Sequence, residues 1–295
     1  MKPVKVGLLP LYLKLYDDTT PEYRPAVERF RDVIAAQLSQ RGLQVTTASV
    51  CRVAEEFAAA VRLFEIEQVD AIITLHLAYS PSEESAPILA ATPLPVIVLD
   101  TTPAFDFSPT QNPSEVMTNH GIHGVQDLCN LLLRHGKTFH IEVGHWEHSD
   151  VLDRVAQAAR SAQLAQSLRT ARVGRIGNPF KGMGDFAVPE PKLARMMGIT
   201  VIPATPQEIG ARLAGISQAA IDAEREADAE RYITQGLSAA EYEQTARVSL
   251  AVRQWIEQER LTAFTMNFME TNRLAGMPTM PFLEASKGMA RGIGY

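Results

Sequence analysis

The runs Val69-Asp-Ala-Ile-Ile-Thr-Leu75 and Pro95-Val-Ile-Val-Leu99 are almost unbroken in apolar side chains, each has the length of a strand, and a segment of helix length separates them. A strand with one face in water alternates apolar and polar residues. A continuous apolar run belongs to a strand covered on both faces, as in a parallel sheet layered between helices. Val4 to Leu11 reads as a further strand of this kind. Thr20-Pro21 then offers an N-cap and a proline at the first helical position. Val27, Phe30, Val33, Ile34 and Leu38 follow at helical spacing until Gly42. Val45 to Val50 predicts a strand, Val53 to Phe64 an amphipathic helix, Ile122 to Leu133 a helix and Phe139 to Val143 a strand. This alternation predicts an α/β fold with a doubly wound parallel sheet, whose ligands sit beyond the carboxyl ends of the strands. Those ends are His76-Leu-Ala-Tyr-Ser-Pro81, Asp100-Thr-Thr-Pro103 and Gly144-His-Trp-Glu-His148.

Ser149 is the expected cap of a long helix, Val151 to Leu168, that closes an N-terminal α/β domain spanning residues 1–170. A second α/β domain, 171–295, follows. Arg172 to Gly177 predicts a strand, Asn178 to Asp185 a loop and Ile199 to Ile202 a short strand. Ile221 to Ile233 and Ala239 to Glu259 are helical, and their many charges read most simply as solvated faces. Leu261 to Phe268 is a last strand that delivers Glu270 at its end.

A chain of 295 residues suits two such domains. Its net charge of −6, with no Lys/Arg run, argues against nucleic acid or an anionic membrane as the main partner. No stretch is long enough to span a bilayer. The apolar N-terminus is interrupted by Pro10, followed by Lys14 and Asp17-Asp18, and lacks a small-residue cleavage site, so it reads as a first strand rather than a leader. Cys51 and Cys129 fit neither a disulfide framework nor a metal spacing and read as reduced thiols. The expected compartment is the cytoplasm.

Six of the seven histidines, His120, His123, His135, His140, His145 and His148, fall in one stretch; the seventh is His76. Taken singly, each is most simply a hydrogen-bonded histidine at a helix end or strand edge. His120 and His123 together are more informative, because Gly121 and Gly124 flank them and Gln126 and Asp127 follow. Imidazoles ligate metals and move protons near neutral pH, and small residues beside them would let a ligand approach the backbone. His145 and His148 are spaced like a metal pair, although that spacing is common by chance. Gly174, Gly177, Gly182 and Gly184 lack the spacing of a dinucleotide or phosphate loop, and Tyr79-Ser80-Pro81 is no nucleophile elbow.

Four segments, taken together, resemble a known family. They are Asn119-His-Gly-Ile-His-Gly-Val-Gln-Asp127, Gly144-His-Trp146 after a strand, His76 to Ser80-Pro81 at a strand end, and Phe264-Thr-Met-Asn-Phe268 leading to Glu270. In order and approximate spacing, over essentially the whole chain, they are similar to the L-arabinose isomerase and L-fucose isomerase family, nearest its fucose-isomerase-like branch. The resemblance implies interconversion of aldoses and ketoses through an ene-diol, assisted by a divalent metal, usually Mn²⁺. It also implies homo-oligomers, trimer-based, whose active sites form between subunits.

By that resemblance Glu270 corresponds to the first metal-binding carboxylate, which also transfers the proton. His123 corresponds to a substrate-contacting histidine lent across the subunit interface. His120 stands where arabinose isomerases carry a glutamine and Gln126 where they carry a basic residue, so a different sugar preference is expected. Tyr79 is placed to supply the aromatic wall near His76, and Leu9 falls where arabinose isomerases present a polar contact at the first strand end. The segment Ala285 to Tyr295 corresponds to the stretch leading to the second metal carboxylate. The chain therefore corresponds to the family's N-terminal and central domains, with the C-terminal domain missing and the Mn²⁺ site incomplete. The expected function is aldose–ketose isomerisation of a small aldose such as L-fucose or L-arabinose, with weak or no turnover by the isolated chain. The alternative is a non-catalytic sugar-binding or oligomerisation module. Dependence of sugar binding on metal separates the two.

Overall fold

The structure, a computed structural model, describes residues 2–184, 187–271 and 276–295. Asp185, the expected end of one loop, lies outside them. The chain forms two compact units, Met1–Gln166 and Ser167–Tyr295.

In the first unit the order is β1 (Val4–Leu11), α1 (Lys14–Thr19), α2 (Arg24–Gln40), β2 (Leu43–Thr47), α3 (Ala54–Ile66), β3 (Ala71–His76) and α4 (Ser82–Ala91). β4 (Val96–Asp100), α5 (Val116–Asn119), α6 (Gly121–Arg134), β5 (Phe139–Val143) and α7 (Val151–Arg169) follow, and the division between the units falls inside α7. The strands form one parallel sheet in the order β2-β1-β3-β4-β5, the flavodoxin-like variant of the doubly wound fold, which reverses direction between β1 and β3. The unbroken apolar runs become strands buried at every position, β3 and β4. Alternate residues serve opposite cores. Ile73, Leu75, Ile97 and Leu99 pack with Phe30, Ile34 and Leu38 of α2 and Val151, Leu152 and Val155 of α7. Ile72, Val96 and Val98 pack with Phe57 and Phe64 of α3, Leu89 of α4 and Val125, Leu128 and Leu132 of α6. Burial stabilises each such side chain by about 1.5–3 kcal/mol.

Several local expectations shift. Thr20 caps nothing; its hydroxyl donates to the Tyr16 carbonyl at 3.2 Å, because the short helix α1 ends there, and Pro21 opens a 3-10 turn before α2. Leu9 is not at a strand end. β1 runs on to Leu11, and Leu9 is fully buried in the second core. Ser149 does accept a hydrogen bond, at 3.2 Å, from the first amide of α7. Helix α4 carries Pro87 in its interior, which masks its periodicity in the sequence.

The second unit holds β6 (Arg172–Ile176), α8 (Glu190–Met197), β7 (Thr200–Ala204), α9 (Pro206–Leu213), α10 (Gln218–Arg231), α11 (Ala239–Gln258), β8 (Ala263–Met266) and α12 (Phe282–Ala290). Its parallel sheet has the order β7-β6-β8. Ile176, Ile209, Val248, Val252, Trp255 and Phe264 form its core, and reciprocal capping boxes start α9 at Thr205–Glu208 and α11 at Ser238–Glu241. The charges of α10 and α11 are not all solvated. Arg253 bridges Glu224 at 2.6 Å and Glu284 of α12 at 2.7 Å, while Lys287 reaches Glu224 at 2.6 Å and Asp228 at 2.5 Å. Asp228 also accepts from the Tyr242 hydroxyl at 2.6 Å, and the Glu284 side chain is fully buried. Three helices far apart in sequence supply these groups, so no single helical pattern reveals the network. Among the described residues no helix is long and apolar enough to cross a membrane.

Candidate functional site

At the carboxyl edge of the first sheet, β3 ends on His76 and α6 begins directly over it. A Cβ on Gly121 would lie 2.9 Å from the His76 carbonyl oxygen, and one on Gly124 2.7 Å from His76 Cδ2. The glycines expected to admit a ligand instead admit the helix, since only residues without a side chain let α6 approach β3 this closely. His76 is buried, and neither ring nitrogen has a well-formed hydrogen bond. Burial drives its pKa down to about 3, against a smaller opposing influence of the Gly124 backbone. The imidazole is therefore neutral near pH 7.

Other polar groups gather at this edge. The hydroxyls of Tyr12, just past β1, Ser80, past β3, and Thr101, past β4, are buried without hydrogen-bond partners among the described residues. Asp100, the last residue of β4, is buried, which raises its pKa. The Cys129 thiol is pushed up to about 11 by burial and by the charge of Asp100. Both cysteines are free.

His120 precedes α6 and lies 3.1 Å from the Tyr16 hydroxyl through Nε2, with its ring 6.0 Å from that of His123. Partial burial, and then the proximity of His123, lower its pKa. His123 and Gln126 are exposed on α6, on the side away from Gly121, Gly124 and Val125. The Tyr79 hydroxyl donates to Asp127 at 2.9 Å, and this bond raises the tyrosine pKa. The fold thus brings His76, Tyr79, His120, His123 and Gln126 to one end of one sheet, with His76 beneath the helix and His123 on its surface.

His145 and His148 do not form a ligand pair. His145 Nδ1 accepts from the amides of Glu147 and His148, both at 3.2 Å, which leaves Nε2 to donate toward the Pro103 carbonyl at 3.4 Å. The two rings stack at 4.9 Å, capped by Phe105.

Glu270 lies in the second unit, where the adjacent strands β6 and β8 end together. Gly177 turns the chain at φ +82°, a conformation that favours glycine, and a Cβ there would meet Glu270 Oε2 at 2.8 Å. The carboxylate accepts from the Asn178 amide N–H at 3.1 Å and from its side chain at 3.4 Å. Asn267, buried, ties the two strand ends together by donating to the Asn178 carbonyl at 2.8 Å and accepting from the Met269 amide at 3.0 Å. No ion pair among the described residues neutralises Glu270. It lines a cleft of about 500 Å³ with Arg175, Asn178, Thr205 and Glu208. Arg175 is oriented by Glu190 at 3.0 Å and by the Gly177 carbonyl at 3.2 Å.

Residue-by-residue reading of the sequence missed Asn178, Asn267 and Arg175. The available signal was their position at strand ends, two of them bracketing Gly177. A carboxylate, an amide, a hydroxyl and a guanidinium around one cleft make a donor and acceptor set suited to a polyol. Among the described residues no three His, Cys, Asp or Glu side chains converge to hold an ion, and the groups bonded to the Glu270 side chain are amides. No protein-family model and no curated protein matches the chain.

Proposed function

We propose that this chain serves the aldose–ketose isomerisation of a small aldose such as L-fucose or L-arabinose, with Glu270 as the group that moves the proton. The observation that carries this reading is the placement of Glu270 past the carboxyl end of β8, held by Asn178 and lining an open cleft. A carboxylate so placed can take a proton from the carbon beside a carbonyl and return it to the neighbouring carbon. Arg175 and Asn178 supply donor groups on the lining of this cleft. The exposed His123, with His120 beside it, is suited to contact a sugar held by a neighbouring copy in a homo-oligomer. A divalent metal such as Mn²⁺ would stabilise the developing oxyanion, but among the described residues no three His, Cys, Asp or Glu side chains converge to hold one.

A second reading, non-catalytic sugar binding, is favoured by the amide contacts of Glu270, which already engage both carboxylate oxygens. Deuterium exchange separates the two. The chain is incubated with a panel of aldoses in D₂O, with Mn²⁺ or with EDTA, while binding is followed by titration calorimetry. Solvent deuterium entering beside the sugar carbonyl, and lost in Glu270→Gln, supports isomerisation. Binding in EDTA without exchange supports the binding module, and neither binding nor exchange refutes both.

A further inference from the structure

We infer that the outer edge of β5 is a self-pairing surface, and that two copies of this chain join there through antiparallel β5–β5 pairing into one continuous ten-stranded sheet. This inference is independent of the sugar reading. Strand β5 hydrogen-bonds only β4, so among the described residues its other edge has no strand partner. The Gly144 amide donates to the Asp100 carbonyl at 3.1 Å, so the even-numbered residues direct their backbone groups toward β4. By alternation, the amides and carbonyls of Phe139, Ile141 and Val143 point outward. An unblocked row of such groups is a template for another strand, which proteins otherwise blunt with proline, bulges or lysine. Phe139-His-Ile-Glu-Val143 contains neither proline nor lysine.

The sequence of the strand commits the edge to a second copy. A two-fold axis at Ile141 sets Ile141 opposite Ile141 as a hydrogen-bonded pair and Phe139 opposite Val143. About six backbone bonds would form, all from groups that point outward. The same axis sets His140 of one copy opposite Glu142 of the other, twice, in the closer non-hydrogen-bonded positions. Strand β5 is thus complementary to itself in hydrogen bonding on one face, imidazole opposite carboxylate, where Glu142 also meets Arg154 of its own chain at 2.5 Å, and apolar on the other, as an isologous contact requires. The side chains on the apolar face are uncovered, with Ile141 43 % and Val143 55 % exposed. On the charged face a groove of about 570 Å³ between β5 and α7, lined by His140, Glu142, Arg154 and Gln157, leaves room for the partner's side chains. Arg154 donates to the Val143 carbonyl at 2.9 Å, and the second lone pair of that oxygen remains for the incoming strand.

The test uses the full chain, starting with its mass by light scattering across a concentration series. We expect a dimer. Ile141→Cys, placed on the axis, should form an inter-chain disulfide on mild oxidation, since hydrogen-bonded antiparallel pairs hold Cα atoms about 5.5 Å apart. Leu133→Cys, exposed but off the axis, and the wild-type chain with Cys51 and Cys129 are the controls. Ile141→Pro removes an outward amide without touching the ladder to β4 and should yield a monomer of unchanged circular dichroism. His140→Glu should weaken the dimer by about tenfold or more by opposing like charges, and adding Glu142→His should restore it. A wild-type monomer at every concentration overturns the inference. So does an oligomer that survives Ile141→Pro, or crosslinking of Ile141→Cys no faster than that of Leu133→Cys.

Discussion

Helix α6 packs on the end of strand β3 with Gly124 facing the buried imidazole of His76, at a separation that leaves no room for a methyl group: a Cβ at 124 would lie 2.7 Å from Cδ2 and 3.0 Å from the Ser80 amide nitrogen. This contact seats the histidine-bearing segment on the sheet. It also makes the position of His120 and His123 depend on a residue that has no functional group of its own.

Gly124→Ala should therefore destabilise the first unit by about 1–3 kcal/mol, the usual cost of overpacking a filled interior. Urea denaturation followed by circular dichroism measures it. Adding His76→Ala should recover part of the loss. An alanine variant as stable as the parent would show that the helix can lift away at no cost.

His76 also sets an acid limit. Its pKa lies near 3 in the folded chain against an ordinary 6.5, so the unfolded chain takes up the proton first as pH falls. The stability attached to His76 is complete above about pH 6.5 and is lost progressively as pH drops toward 3. A series of melting curves from neutral to acid pH should show this slope for the wild type and a shallower one for His76→Leu. Parallel slopes would remove His76 from the acid response.

In the second unit, Glu284→Ala should cost about 3 kcal/mol, because it leaves Arg253 with one partner fewer in a dry site. The buried network should also respond to acid in its own window. The hydrogen bond from Arg253, foremost, holds the Glu224 pKa at about 2 against an ordinary 4.5, with Lys287 adding to it. A depressed carboxylate stabilises the fold fully above its unfolded pKa, so this contribution fades as pH falls from about 4.5 to about 2. Tryptophan fluorescence of Trp255, buried in the same unit, can follow the transition, and Glu224→Gln should flatten that part of the profile.

Gly177→Ala combines two costs, a positive φ and a collision with Glu270 Oε2. The backbone part alone is worth about 1–2 kcal/mol. Under the proposed function, aldose binding, measured by titration, should weaken as the carboxylate is displaced. Because both substitutions act on one carboxylate, Gly177→Ala with Glu270→Gln should weaken binding by less than the sum of the single effects. Additive effects would mean that the two residues act apart.

The sequence by itself determined the layered parallel architecture. Whether a strand is apolar on one face or two is written in its own residues, so Ile72 to Leu75 and Val96 to Leu99 announced a sheet covered on both sides, and Phe139 to Val143 was legible to the residue. The placement of His76 and Asp100 at strand ends followed from the same pattern. What only the tertiary structure decided was the pairing of polar groups from distant elements. The flanking glycines of His120 and His123 look alike in sequence whether a ligand or a helix–strand contact uses them, and only the docking of α6 on β3 shows the latter. The charges of α10 and α11 look solvated until α12 brings Glu284 and Lys287 against them. Glu270 gains its amide support from Asn178, in a loop remote in sequence. Apolar periodicity is a property of a local segment, whereas a hydrogen bond or an ion pair exists only once two segments have met.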